Sequence, residues 1–148
     1  MKNLFGEEPM LALSWKQPFG TAMLYGKIET RTWNTNYRGL VLICTSKSAY
    51  DEKTATKICG EIQFIRLCKT ISKDMDTLDL GGYAIAVGRL VDCRKMKPTD
   101  EDKTFVAYRE DLYCHIYKDV KPIKPFDWKG CQGWKKVDDN TRKKISFL

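Results

Sequence analysis

The sequence predicts an α+β fold, a small mixed β-barrel with helices packed outside it. Three observations carry that expectation. Short apolar runs around Leu11–Leu13, Leu40–Cys44, Tyr83–Cys93 and Leu112–Val120 are bounded by turn residues, as strands are. Between Asp51 and about Ile71 the apolar residues fall instead at helical spacing. The chain has 148 residues and is 43% hydrophobic, the size of one domain with a sizeable core. It has no repeats and no low-complexity segments. We therefore expect a single domain over 1–148, with its core at about 10–138 and a basic tail at 139–148.

The elements follow in order. Leu11 and Leu13 alternate with smaller residues in a first strand. Gln17 followed by Pro18 predicts a helix start, because proline lacks only an N–H that the first turn does not use. Phe19, Ala22, Met23 and Leu24 supply that helix with an apolar face, and Gly26 ends it. Ile28 to Trp33 reads as a strand with Thr30 and Thr32 opposite Glu29 and Arg31. Asn34-Thr35-Asn36 is a turn cluster before the buried strand Leu40–Cys44. Ser48 is placed to cap the helix starting near Asp51. That helical stretch has a stripe of Ala55, Ile58, Cys59, Ile62, Ile65 and Cys68, interrupted by Gly60, which allows two elements. Asp74 to Leu80 reads as a polar linker, and Gly81-Gly82 punctuates the start of the next strand. Tyr83 to Cys93 is long, apolar and contains Gly88, as a bent barrel strand would. Lys97 to Glu110 is a charged insertion, part helix. Pro122 and Pro125 mark a turn after the strand Leu112–Val120 and before a closing segment, Trp128–Val137.

Composition narrows the functional classes. No apolar run approaches the roughly 20 residues needed to cross a bilayer. MKNLFGEEPM lacks the apolar stretch of a signal peptide, so a soluble, cytoplasmic protein is expected. The six cysteines contain no C-x-x-C pair and the single histidine, His115, has no H-x-x-x-H partner. The thiols therefore read as small hydrophobes, with neither a metal site nor any other cofactor expected. His115, in a strand with no partner in sequence, reads as structural. The net charge is +7, unevenly spread. Residues 1–50 hold six Lys/Arg against three Asp/Glu, 51–120 twelve against thirteen, and 121–148 eight against three. If the two basic segments meet, they form a face suited to phosphates. For Arg142-Lys143-Lys144 alone, solubilising charge is the simpler reading.

The segment Leu11–Ser46 concentrates polar and aromatic groups where elements join, the places at which scaffolds present functional side chains. Lys27, Glu29 and Arg31 alternate, so on a strand they project to one side. A solvated sheet surface accounts for such a triplet about as well as a site does. In the site reading, Glu29 holds one cation and leaves the other for an anionic ligand. Arg31 is then the better phosphate fork and Lys27 the better candidate for proton transfer. Trp33 and Tyr37, flanked by Asn34, Asn36 and Arg38, read as exposed rings on which bases stack beside phosphate contacts. Trp134 fits either a cleft wall or a core plug.

These residues also carry a resemblance. Ser14, Gln17-Pro18-Phe19, Gly26, Lys27, Glu29-Thr30-Arg31, Trp33, Tyr37-Arg38-Gly39 and the strand into Thr45-Ser46 resemble the opening signature of the ASCH domain, a member of the PUA-like superfamily. Tyr83-Ala-Ile-Ala-Val-Gly-Arg-Leu-Val-Asp92-Cys93 is similar to that family's second core strand. Pro122–Val137, with Lys129-Gly130 before Gly133-Trp134, is similar to its closing stretch. The family commonly reads Gly-x-Lys-x-x-Glu-x-Arg, whereas Gly26-Lys27-Ile28-Glu29-Thr30-Arg31 is shorter between the glycine and the glutamate. Lys16 is a second lysine for the same space.

The resemblance implies a PUA-like barrel and a nucleic-acid-binding module, for RNA or a single strand. Lys16, Lys27, Arg31, Arg38 and Lys129 would contact phosphates. Gln17 and Glu29 would orient them or read a base edge, with Trp33, Tyr37 and Trp134 as stacking groups and Ser46 as a phosphate-binding hydroxyl. The rival expectation is a small metal-independent hydrolase of RNA or a modified nucleoside, with Lys27 or Lys16 as base and Glu29 and Thr30 or Ser46 assisting. A protein-interaction adaptor would instead present an exposed apolar patch. No membrane partner and no obligate protein partner is evident in the sequence.

Overall fold

The structure is a computed structural model that describes residues 8–130 and 132–148. Cys131 and the first seven residues, read above for thiol chemistry and for a signal peptide, lie outside the described residues. Six strands alternate with helices: β1 (Met10–Trp15), α1 (Phe19–Met23), β2 (Glu29–Arg31), β3 (Gly39–Thr45), α2 (Glu52–Cys59), α3 (Glu61–Ile71), α4 (Met75–Leu78), β4 (Tyr83–Lys95), α5 (Glu101–Thr104), β5 (Tyr113–Asp127), β6 (Lys135–Lys136) and α6 (Asp139–Arg142).

The strands form one mixed sheet in the order β2-β5-β4-β3-β1-β6, curled into a half-barrel. Every neighbouring pair is antiparallel except β1 and β3. The fold is thus α+β with a mixed, curved sheet, but the backbone ladder stops halfway round. β2 and β6 remain as edges.

Both faces of the sheet are covered, which explains why every residue of β3 is buried. Leu13, Trp15, Val41, Ile43 and Ile85 point to the face packed by Phe19, Ala22 and Met23 of α1, Cys59 of α2 and Leu67 and Ile71 of α3. Met10, Ala12, Leu40, Leu42 and Cys44 point to the other, where Ile123, Val137 and Ile145 pack. Residues 139–148, expected as a tail, carry α6 and bury Arg142 and Ile145.

Local chemistry explains where elements break. Asp51, rather than Ser48, caps α2, accepting from the Thr54 N–H at 2.7 Å. Gly60, at φ 84°, ends α2 and starts α3, a conformation costly for other residues. That break re-phases the helical stripe. Ala55 and Cys59 are buried as expected, but α3 buries Gln63, Leu67 and Ile71 and leaves Ile62 at 75% and Ile65 at 55% exposure. The expected linker Asp74–Leu80 contains α4, capped by Asp74.

β4 bends through three register shifts around Gly88. A Cβ there would meet Val120 Cγ2 at 2.9 Å, so glycine lets β5 close over β4. β5 does not turn at Pro122 and Pro125, as the sequence suggested. Pro122 pairs opposite Ala86 beside a register shift, where a missing ladder donor is tolerated. The charged insertion is held by Arg94, which donates to both oxygens of Asp100 at 2.8 Å while the Lys97 N–H donates at 2.7 Å.

Candidate functional site

The parallel pairing of β1 and β3 builds the site. Trp15 stands beside Thr45, and the Ser46 N–H donates to the Trp15 carbonyl at 2.8 Å. Two carboxyl ends therefore finish together, and Lys16, Ser46 and Lys47 emerge side by side. β2 lies at the far edge of the sheet, yet its Arg31 reaches across and donates through Nη2 to the Ser14 carbonyl of β1 at 3.1 Å. A side chain thus spans the gap that the backbone ladder leaves open.

Lys27, Glu29 and Arg31 converge as their alternation predicts, but they are not a solvated surface. Lys27 and Glu29 are 3% and 6% exposed. Lys27 Nζ lies 3.0 Å from Glu29 Oε1, and Arg31 Nε lies 3.1 Å from Glu29 Oε2 as an ion-pair contact without an aligned hydrogen bond. Glu29 consequently holds both cations, not one. Burial pushes its carboxyl up, but the Lys27 and Arg31 charges, with hydrogen bonds from Lys27 and the Thr30 N–H, outweigh burial and leave it below the ordinary range. The triplet retains one net positive charge. Lys27 also donates to the Ile28 carbonyl and sits against the Phe19 ring, while the Arg31 guanidinium lies 5.0 Å from the Trp15 ring centre and 5.8 Å from that of Trp33.

An inner cavity of about 290 Å³ opens above the triplet. Lys16, Lys27, Glu29, Thr30 and Arg31 line it with Ser14, Ser46 and Tyr50, and Phe19, Ile58 and Val106 supply apolar walls. An outer cavity of about 930 Å³ continues past Ser14 and Ser46, which border both. Lys47, Gly81, Gly82, Trp128, Lys129 and Gln132 line that outer part. The two volumes fall near the limits of the range typical of small-molecule sites. Cationic groups dominate the walls. The acidic groups are Glu29, already paired, and Asp127.

Gly130 crosses Ser14, a residue that borders both cavities. A Cβ on Gly130 would meet Ser14 Oγ at 2.8 Å. Gly130→Ala is expected to displace Ser14 and weaken any ligand that spans both parts several-fold. Ligand titration beside a thermal melt checks this; a lowered melting temperature with unchanged affinity would contradict it.

Other expected site residues lie elsewhere. Gln17 is buried behind the cavity and fully engaged. Its Oε1 accepts from the Thr21 N–H and hydroxyl at 2.9 and 3.0 Å, and its Nε2 donates to the Thr77 and Leu80 carbonyls at 2.9 and 3.3 Å. It has no atom left to read a base edge. Trp33, Tyr37 and Trp134 are half-buried and pack on one another, with ring centres 5.9 Å apart for Trp33–Trp134 and 5.3 Å for Tyr37–Trp134. The Tyr37 hydroxyl donates to the Leu40 carbonyl. These rings form a packed cluster rather than open platforms. Arg38 is exposed, turned to the Thr35 and Tyr37 carbonyls. His115 is fully buried, its Nε2 2.9 Å from the Trp33 carbonyl, and burial lowers its pKa.

The sequence reading omitted Ser14, Lys47, Tyr50 and Trp128 from the site. Each lies within a few residues of a chosen one, and only the parallel pairing and the return of 128–130 bring them to the same cleft. Among the described residues no group of three or more His, Cys, Asp and Glu side chains is placed to hold a metal ion, and no helix is long and apolar enough to cross a membrane. No protein-family model matches this chain, and no curated protein does.

Proposed function

We propose that the chain is a nucleic-acid-binding module of ASCH-like, PUA-superfamily type, which takes RNA or another single strand in the cleft formed by the two cavities. The observation that carries this reading is the net positive triplet beneath the inner cavity, continued by Lys16, Lys47 and Lys129 along the walls. Arg31 is tied to Glu29 and the Ser14 carbonyl through part of its fork, and its remaining N–H groups are the phosphate donors. Tyr50 and Trp128 line the cleft, whereas Trp33, although 5.8 Å from the Arg31 guanidinium, and Tyr37 do not.

The geometry favours binding over hydrolysis. The Lys27 ammonium is engaged by a carboxylate and a carbonyl, the arrangement of a donor and not of a base. The test is fluorescence anisotropy with single-stranded RNA, single-stranded DNA and duplex DNA across a salt series. Wild type is compared with Arg31→Ala and with the exposed pair Lys47→Gln/Lys129→Gln. We expect salt-dependent binding to the single strands, at least tenfold weaker in both variants. Salt-insensitive affinity, or no binding to any oligonucleotide, overturns the proposal. Turnover of a modified nucleoside lost in Lys27→Ala would establish the hydrolase in its place.

A further inference from the structure

The seven lysines between residues 121 and 148 are all exposed, and among the described residues none forms an ion pair. This contrasts with the arginines of the middle of the chain: Arg66, Arg89, Arg94 and Arg109 each pair with a carboxylate. Among the described residues the lysines of 51–120 form no ion pair either, so what sets the closing segment apart is its excess of cations, eight Lys/Arg against three Asp/Glu where 51–120 holds twelve against thirteen.

That charge is also placed. Phe126 and Trp128 both pack against the core cluster on the second face of the sheet. Lys144 Nζ stands 5.9 Å from the Phe126 ring centre and Lys135 Nζ 5.0 Å from that of Trp128. Each ammonium group rests over a ring while its residue stays exposed, so less freedom is lost when an anion meets it. Trp128 and Lys129 are also walls of the outer cavity. Lys135 is thus one ring away from the cleft. Asp138 caps α6 and feels the charges of Lys144 and Lys135, but lies beyond ion-pair distance of both.

We propose that a single strand held in the cleft leaves it over Trp128 and continues along Lys135 and Lys144, which grip its phosphates. This rests on the reading of the cleft as a nucleic-acid site and extends it to a second surface. The surface reads no sequence; it adds affinity with strand length.

The test uses uridylate oligomers of 4 and 12 nucleotides, titrated against the 148-residue chain at several salt concentrations. Lys135→Gln/Lys144→Gln is compared with Lys135→Arg/Lys144→Arg, which keeps the charge. In wild type the longer oligomer is expected to bind at least tenfold more tightly. The Gln pair should lose most of that advantage, leave the 4-nucleotide affinity unchanged, and lower the salt slope for the longer oligomer by about 1.4, at ~0.7 per phosphate contact. The Arg pair should retain both length advantage and slope. If the Gln pair keeps the wild-type length advantage and slope, the extended path is wrong while the cleft reading stands. If neither oligomer binds wild type, the cleft reading fails and takes this inference with it.

Discussion

Glu29→Gln is expected to destabilise the fold by about 3–5 kcal/mol, the cost of leaving a buried cation without its partner. Lys27 and Glu29 are both almost completely buried, and the same carboxylate also faces Arg31. An amide preserves the shape but removes the charge that holds both cations. Denaturant unfolding at pH 7 measures the loss. Lys27→Met should cost less in the Glu29→Gln background than in wild type, because it then removes a charge that has lost its partner. Strictly additive costs would show that the pair does not act as a unit.

The same residue sets a pH dependence. Its native pKa is lowered, so its contribution is fully present above the unfolded value of about 4.3 and is lost as pH falls through the native value. Asp100 is lowered too, first by its hydrogen bonds with Arg94, so wild type alone does not isolate Glu29. The difference between wild type and Glu29→Gln does. It should be constant above about pH 5 and shrink on acidification below that. A difference that does not change between pH 7 and 3 would remove Glu29 from the account.

Gln17→Leu is expected to cost about 3 kcal/mol, from several buried polar groups left without partners at roughly 1–3 kcal/mol each before relaxation. The substitution keeps the volume but strands the Thr21 N–H and hydroxyl at the start of α1 and the Thr77 and Leu80 carbonyls around α4. Because Gln17 ties these two regions together, hydrogen exchange in α4 should accelerate more than exchange in β3. A cost under about 1 kcal/mol, with α4 protection intact, would show that water or neighbouring groups replace the amide.

Gln17 also shows where local reasoning stops. A glutamine between Lys16 and Pro18, at the join of a strand and a helix, looks like a presented group. Residues some sixty positions away turn it into an internal clamp. Trp33 and Tyr37 follow the same pattern. Polar flanks suggested exposure, while Trp134 and His115 arrive from the last third of the chain to cover them. The stripe across Gly60 failed for a different reason, since one residue at φ 84° resets the helical phase and the periodicity no longer carries over.

Wherever a short-range pattern has one dominant physical consequence, the residues alone were sufficient. The apolar run Leu40–Cys44 had to be a buried strand. Asp51–Ile71 reads as helical with room for a break at Gly60, and the alternation of Lys27, Glu29 and Arg31 puts three charges on one side while leaving open a solvated surface or a site. Long-range partnering settled the rest. The parallel register of β1 with β3, the passage of β5 through two prolines and the reach of Arg31 to Ser14 depend on contacts between distant segments. Such contacts are stabilised by shared burial, which leaves no periodicity in either segment by itself. The inner cavity follows from those contacts, and so does the meeting of the two basic segments along the walls of the outer one.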